Sequence, residues 1–219
     1  MLHRLASTPE TVRFGIFDAA FAPVLTIASG DSVTFACVSG GREVMPGLGS
    51  GLTIPPDLAA IHAAELERIG PHILTGPVAI AGAEPGDTLE VRIEQVEPNN
   101  DWGYCAVRPL AGTLPEDFPE RYVSHIAVDR AAATCKPDWG PTLPLAPFFG
   151  TMGVAPRLAM ADCPAASRAS MAATWTTRSW GPERRCPCPS GFLEPISRSV
   201  TVTAARATAR SASTRWRWG

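Results

Sequence analysis

Two stretches of period-two alternation, each opened by Gly-Asp, constrain this chain more than anything else in it. In GDSVTFACV, Val33, Phe35 and Cys37 share one face, and Ser32, Thr34 and Ala36 the other. In GDTLEVRIEQV, Leu89, Val91 and Ile93 stand opposite Glu90, Arg92 and Glu94. Side chains change face at every residue in an extended strand, so both segments read as half-buried strands. Each has an earlier apolar run, PVLTIASGD in one case and PVAIAGAEPGD in the other. Gly and Asp supply turn geometry, and the echo reads as two similar β-hairpins.

PPDLAAIHAAELERIG departs from this pattern. Proline stands at its start, Leu58, Ile61, Leu66 and Ile69 fall on one face, and Gly70 offers a stop. The spacing predicts one helix near residues 56–69. MPGLGSGLTIPP, RPLAGTLPEDFPE and GPTLPLAPFFG are rich in proline and glycine and read as ordered loops. The expected fold class is therefore mainly β, a β-rich α+β protein with one convincing helix. Its 219 residues suffice for one large domain or two small ones. No apolar run approaches the roughly 20 residues of a spanning helix. The opening MLHRLASTPETVRFG lacks the apolar core of a signal peptide, which points to a cytoplasmic protein.

Charge divides the chain at Pro156. Residues 1–156 hold eight Arg and one Lys against eighteen acids, 9 − 18 = −9. Residues 157–219 hold ten Arg, no Lys and three acids, 10 − 3 = +7. All four histidines precede the boundary, and four of the six tryptophans follow it. A basic tail on an acidic body suggests a nucleic-acid or anionic partner, but such tails normally mix Lys with Arg. The tail also lacks coherent apolar periodicity, so an irregular or disordered segment is expected. The domain reading is one folded unit over 1–156 and an Arg-rich tail over 157–219.

Few residues suggest chemistry. His62 lies beside the helical apolar stripe and reads first as a half-buried structural histidine. His72, in GPHILTGP, stands in a loop just past the helix, where functional groups are commoner. Asp101, in NNDWGY, closes an Asx turn or offers a carboxylate to a metal or a base role. Glu84 and Asp87 flank a Pro-Gly turn, and the turn explains them. Cys37, Cys105 and Cys135 have no metal-binding spacing and read as buried thiols in a reducing compartment.

The longer strings ETVRFGIFDAAFAPVLTIASGDSVTF, GPHILTGPVAIAGAEPGDTLEVRIEQV, DWGY, RPLAGTLPEDFPE and PFFGTMGVAP together resemble the acetamidase/formamidase family. The resemblance covers nearly all of residues 8–156, and TGPVAIAGAEPGD and GTMGVAP are its most specific pieces. It implies a β-rich, homo-oligomeric cytoplasmic hydrolase of carbon–nitrogen bonds in linear amides such as formamide or acetamide. Such an enzyme releases ammonia and a carboxylate from a small-molecule substrate, with no nucleic-acid or membrane partner. It further implies a divalent metal, zinc or calcium. On that basis His62, His72 and Asp101 are candidate metal ligands, and His72 and Asp101 candidate catalytic groups.

In that family a His-Gly-Gly-Asn motif with a nearby aspartate follows the GVAP string, and a Gly-Asp-Gly-His turn comes later. Here the resemblance stops at Pro156, and MAATWTTRSWGPERRCPCPS occupies the place of the first motif. Reading each family codon from the third base of one codon and the first two of the next restores both. Met171–Ala172 then gives GGC, glycine, and Trp175–Thr176 gives GAC, aspartate, with no freedom in either. Ser170 to Trp180 can be reread as HGGNMDNKEL, and residues 197–204 as SVGDGHG. The stretch ending near Trp216 permits GDGEVCVDALE. The tail is thus expected to be the family's sequence out of frame, by one lost base or two gained near codon 157. On this reading Cys186-Pro-Cys188 is no metal clip, and the basic tail is no nucleic-acid arm. The alternative is a non-catalytic β module whose disordered basic tail binds polyanions.

Overall fold

The computed structural model describes residues 1–84, 87, 89–111, 114–148 and 151–154, with backbone strands at 185–187, 199–203 and 209–218. In chain order the elements are β1 (Leu2–Ala6), β2 (Val12–Phe14), β3 (Leu25–Ile27), β4 (Ser32–Ala36), α1 (Pro56–Ala63) and β5 (Ile73–Ile80). There follow β6 (Leu89–Ile93), β7 (Glu97–Pro98), β8 (Trp102–Val107), β9 (Tyr122–Asp129), β10 (Thr134–Lys136) and β11 (Leu143–Pro144). The remaining strands are β12 (Thr151–Val154), β13 (Arg185–Pro187), β14 (Ser199–Thr203) and β15 (Ala209–Trp218). The expected class holds, since strands dominate and α1 is the one α-helix among the described residues.

Three sheets form. The first runs β1-β4-β15-β6-β13, with β7 beside β15, and the second runs β12-β14-β5-β2, with β3 beside β5. The third is β11-β10-β9-β8, all antiparallel. Val33, Phe35, Val91 and Ile93 of the first sheet share one buried cluster with Ile27, Val78, Ile80 and Met152 of the second. These two sheets therefore pack face to face, the usual way for two half-apolar sheets to bury their inner faces. A second cluster joins Leu58 and Ile61 of α1 to Val12, Phe14 and Ile73, seating the helix on the β2–β5 pair.

Both alternating segments present the expected face. Val33 and Phe35 are buried between partly exposed neighbours in β4, as are Leu89, Val91 and Ile93 in β6. The hairpins are not formed, however. The apolar runs become β3 and β5 in the second sheet, whereas β4 and β6 lie in the first. The chain therefore passes from one sheet to the other between β3 and β4, and again between β5 and β6. The echo survives as a pairing: β3 and β5 lie parallel, with Leu25 opposite Val78 and Ile27 opposite Ile80.

The helix starts where the proline predicts but ends at Ala63, short of Gly70. Glu65 takes a left-handed φ of 49°, and the Ile69 N–H donates to the Phe14 carbonyl at 3.3 Å. That bond draws the chain toward β2. Gly70 meets Gly15 there so closely that a Cβ on Gly15 would stand 2.2 Å from the Gly70 Cα. Of the three cysteines read as buried thiols, Cys37 is buried, whereas Cys105 is exposed and Cys135 partly so, both on strands of the third sheet.

The tail expected to be irregular pairs in three places. β15 lies between β4 and β6, β14 between β12 and β5, and β13 on the outer side of β6. Most of Met171–Ser190, including all of 171–184, lies outside the described residues. No helix among the described residues is long and apolar enough to cross a membrane.

Candidate functional site

His62 occupies the last turn of α1, one residue after the fully buried Ile61, and is itself 3% exposed. Its Nε2 bonds the Gly40 carbonyl at 2.9 Å, and its Nδ1 meets the Arg68 guanidinium. A carbonyl only accepts and a guanidinium only donates, so Nε2 carries the hydrogen and Nδ1 the lone pair. The ring is therefore the neutral Nε2–H tautomer. The Arg42 guanidinium donates to the His62 carbonyl, and Arg68 also lies over the Phe14 ring, 4.4 Å from its centroid. Burial is the main influence holding the histidine below its usual 6.5. The Gly40 bond opposes that shift, Arg68 and Arg42 reinforce it, and Glu43 opposes it last.

His72 stands exposed immediately before β5, and its carbonyl accepts from the Gly15 N–H at 2.7 Å. Phe14, the neighbour of Gly15, is paired with Ile73 and carries the His62 ring at 6.0 Å between centroids. The two histidines thus flank the end of β2. Asp101 lies elsewhere, exposed at the start of β8 in the third sheet, with its carbonyl accepting from Val128 at 2.8 Å. Glu84 and Asp87 form the expected turn, with the Glu84 N–H donating to Asp87 Oδ2 at 2.8 Å.

One residue escaped sequence reasoning. His125, in β9, donates from Nε2 to the Val44 carbonyl at 2.9 Å and packs edge-on against Trp102 at 5.7 Å. The period-two setting of YVSHIAVD is the signal that could have placed it on a defined face. Beside His62 it brackets the short 3₁₀ turn Arg42–Val44, and Arg121 donates to the Glu43 carbonyl of the same turn at 2.5 Å.

A divalent ion shared by His62, His72 and Asp101 does not fit this arrangement. The lone pair of His62 is taken by Arg68, and Asp101 belongs to a different sheet. Among the described residues, no group of three or more His, Cys, Asp or Glu side chains converges so as to hold a metal.

Comparison with known proteins adds a family. A model of the Acetamidase/Formamidase family matches residues 21–219, a span that continues past Pro156. A protein named as a formamidase in Schizosaccharomyces pombe is 43% identical over 65 residues. That match covers 27% of this chain and 15% of the yeast protein. Among solved structures, an acetamidase from Bacillus halodurans superposes with a TM-score of 0.68 at 18% identity, covering 98% of this chain and 70% of that one. A gamma lactamase from Delftia acidovorans gives 0.70 at 15% identity, covering 99% and 68%. At these identities the two structures establish a shared fold.

Proposed function

Because the chain belongs to the acetamidase/formamidase family, we propose that its gene encodes a hydrolase of linear amides and that the chain as read is inactive. The reaction adds water across the amide carbon–nitrogen bond, so formamide or acetamide yields ammonia and the carboxylate. Attack on the carbonyl requires a base to take a proton from water, donors for the developing oxyanion, and a proton for the departing ammonia. His72 and Asp101 are the candidates for proton transfer, each exposed immediately before a strand. The described residues offer a zinc or calcium ion no converging group of three donor side chains.

The observation that carries the inactivity is the break at Pro156. Before it the family's strings run almost unbroken; after it both glycine-rich motifs are absent in this frame and legible in the next. A chain without those motifs lacks the segment that would complete the site. The strand positions that β13, β14 and β15 occupy in both packed sheets then carry out-of-frame residues, and poorly matched apolar faces favour association. The test is ammonia release from formamide and acetamide by two proteins, the chain as read and one with the frame restored near codon 157. Turnover by the restored protein alone is expected. Comparable turnover by the chain as read, in soluble and monodisperse form, would overturn the proposal.

A further inference from the structure

The turn Arg42–Val44 connects β4 to the loop before α1, and its own residues fix its position in part, through the Arg42 guanidinium on the His62 carbonyl and the buried Val44 side chain. Three side chains do so from outside: His62 on the Gly40 carbonyl, Arg121 on the Glu43 carbonyl and His125 on the Val44 carbonyl. His62 differs from the other two because its second ring nitrogen is also engaged, by Arg68 from beyond the helix end.

We infer that His62 is a neutral pin tying helix α1 to the Gly40–Val44 turn and to Arg68, and that it is not a metal ligand. Neutral imidazole has one in-plane lone pair, and here a guanidinium holds it. A cation bound at Nδ1 would have to displace Arg68 while facing Arg42 nearby, with Glu43 the one acid among the described residues that acts on the ring. A cation at Nε2 would have to displace both a proton and the Gly40 carbonyl. At 3% exposure, little solvent reaches the ring to lessen either cost. Metal-ligating histidines usually donate their second N–H to a carbonyl or carboxylate that raises ligand basicity. His62 has the carbonyl partner on Nε2 but a cation where the metal would be. This inference does not rest on the proposed hydrolase activity.

Amide hydrogen exchange on the full chain, at pH 7.5 with and without zinc or calcium chloride, tests it. The informative amides are Val44 and Met45 in the turn and Ile69 beside Phe14, with those of β5 as the reference for the fold. H62A should speed exchange at all three by about tenfold or more, the effect of an unmet buried hydrogen bond. H62Q, whose amide can accept from Arg68 and donate to Gly40, should recover most of the protection. Neither metal salt should change the wild-type pattern. Metal-dependent slowing at Val44 and Met45 that H62A abolishes would overturn the inference, as would unchanged exchange in H62A. Should H62A also lose protection in β5, Arg68→Met decides, because it keeps the ring and removes its donor. Faster exchange at Ile69 is then expected, and an unchanged rate contradicts the pin.

Discussion

Ser7 and Thr75 show how much a single buried polar contact decides. Both are fully buried, and their hydroxyls meet at 2.7 Å between β1 and β5. S7A leaves the Thr75 hydroxyl without that partner, so it should cost about 1–3 kcal/mol in urea unfolding. The double variant S7A/T75V should cost less than the sum of the singles, and strict additivity would contradict the coupling. His62 gives a pH dependence whose sign follows from its depressed pKa. The unfolded chain takes up a proton near 6.5, whereas the folded chain does so only at lower pH. Unfolded molecules therefore bind more protons in that window, and stability falls as pH drops through it. A urea midpoint that declines from pH 7.5 to 5 in wild type, and less in H62Q, is the expected result. These roles were only half legible in the sequence. HAAELERIG places His62 beside a stripe, but its tautomer depends on Gly40, twenty-two residues away, and on Arg68 beyond the helix.

Elements were legible in their faces and less so in their partners. The alternation in β4 and β6 identified every buried position, because the pleat dictates face whatever the strand pairs with. It carries no information about which sheet the preceding run joins, so two crossings between sheets read as hairpins. The helix shows the same limit. Its apolar spacing continues through Leu66, which still packs on the second cluster after the helical hydrogen bonds have stopped at Ala64. Glu65 turns the chain out of the helix at a left-handed φ of 49°, and the close backbone approach of Gly70 to Gly15 beyond it gives a sharp prediction. Gly15 has φ of 69° and would place a Cβ 2.2 Å from Gly70, so G15A should destabilise by about 2 kcal/mol or more. F35A, emptying a side chain 1% exposed between the packed sheets, should cost about 3–5 kcal/mol. Both are read from unfolding midpoints, and a loss under about 1 kcal/mol for F35A would contradict the two-sheet core.

At the scale of the molecule, the described part forms a packed pair of sheets with a third beside it whose surroundings leave large apolar side chains in solvent. Leu110, Phe118 and Trp139 are more than half exposed, and Leu143 is 44% exposed. Exposed apolar groups of this size favour association, so light scattering at micromolar concentration should show the chain as read to be polydisperse. The same division appears in the charge, −9 before Pro156 and +7 after it, which no single functional surface explains. The family was legible in strings such as TGPVAIAGAEPGD, because turn and strand chemistry there is carried by contiguous residues. The site was less legible, since the family's two glycine-rich motifs are absent from this frame. The coding DNA across codons 145–185 is the most direct measurement of the proposed frame break. The out-of-frame reading requires the codon of Ser170 to end in C, and those of Ala173 and Thr174 to end in A, so that the shifted triplets spell His, Asn and Met around the fixed glycine and aspartate. Those bases would establish the frame break; other bases at these positions would contradict it.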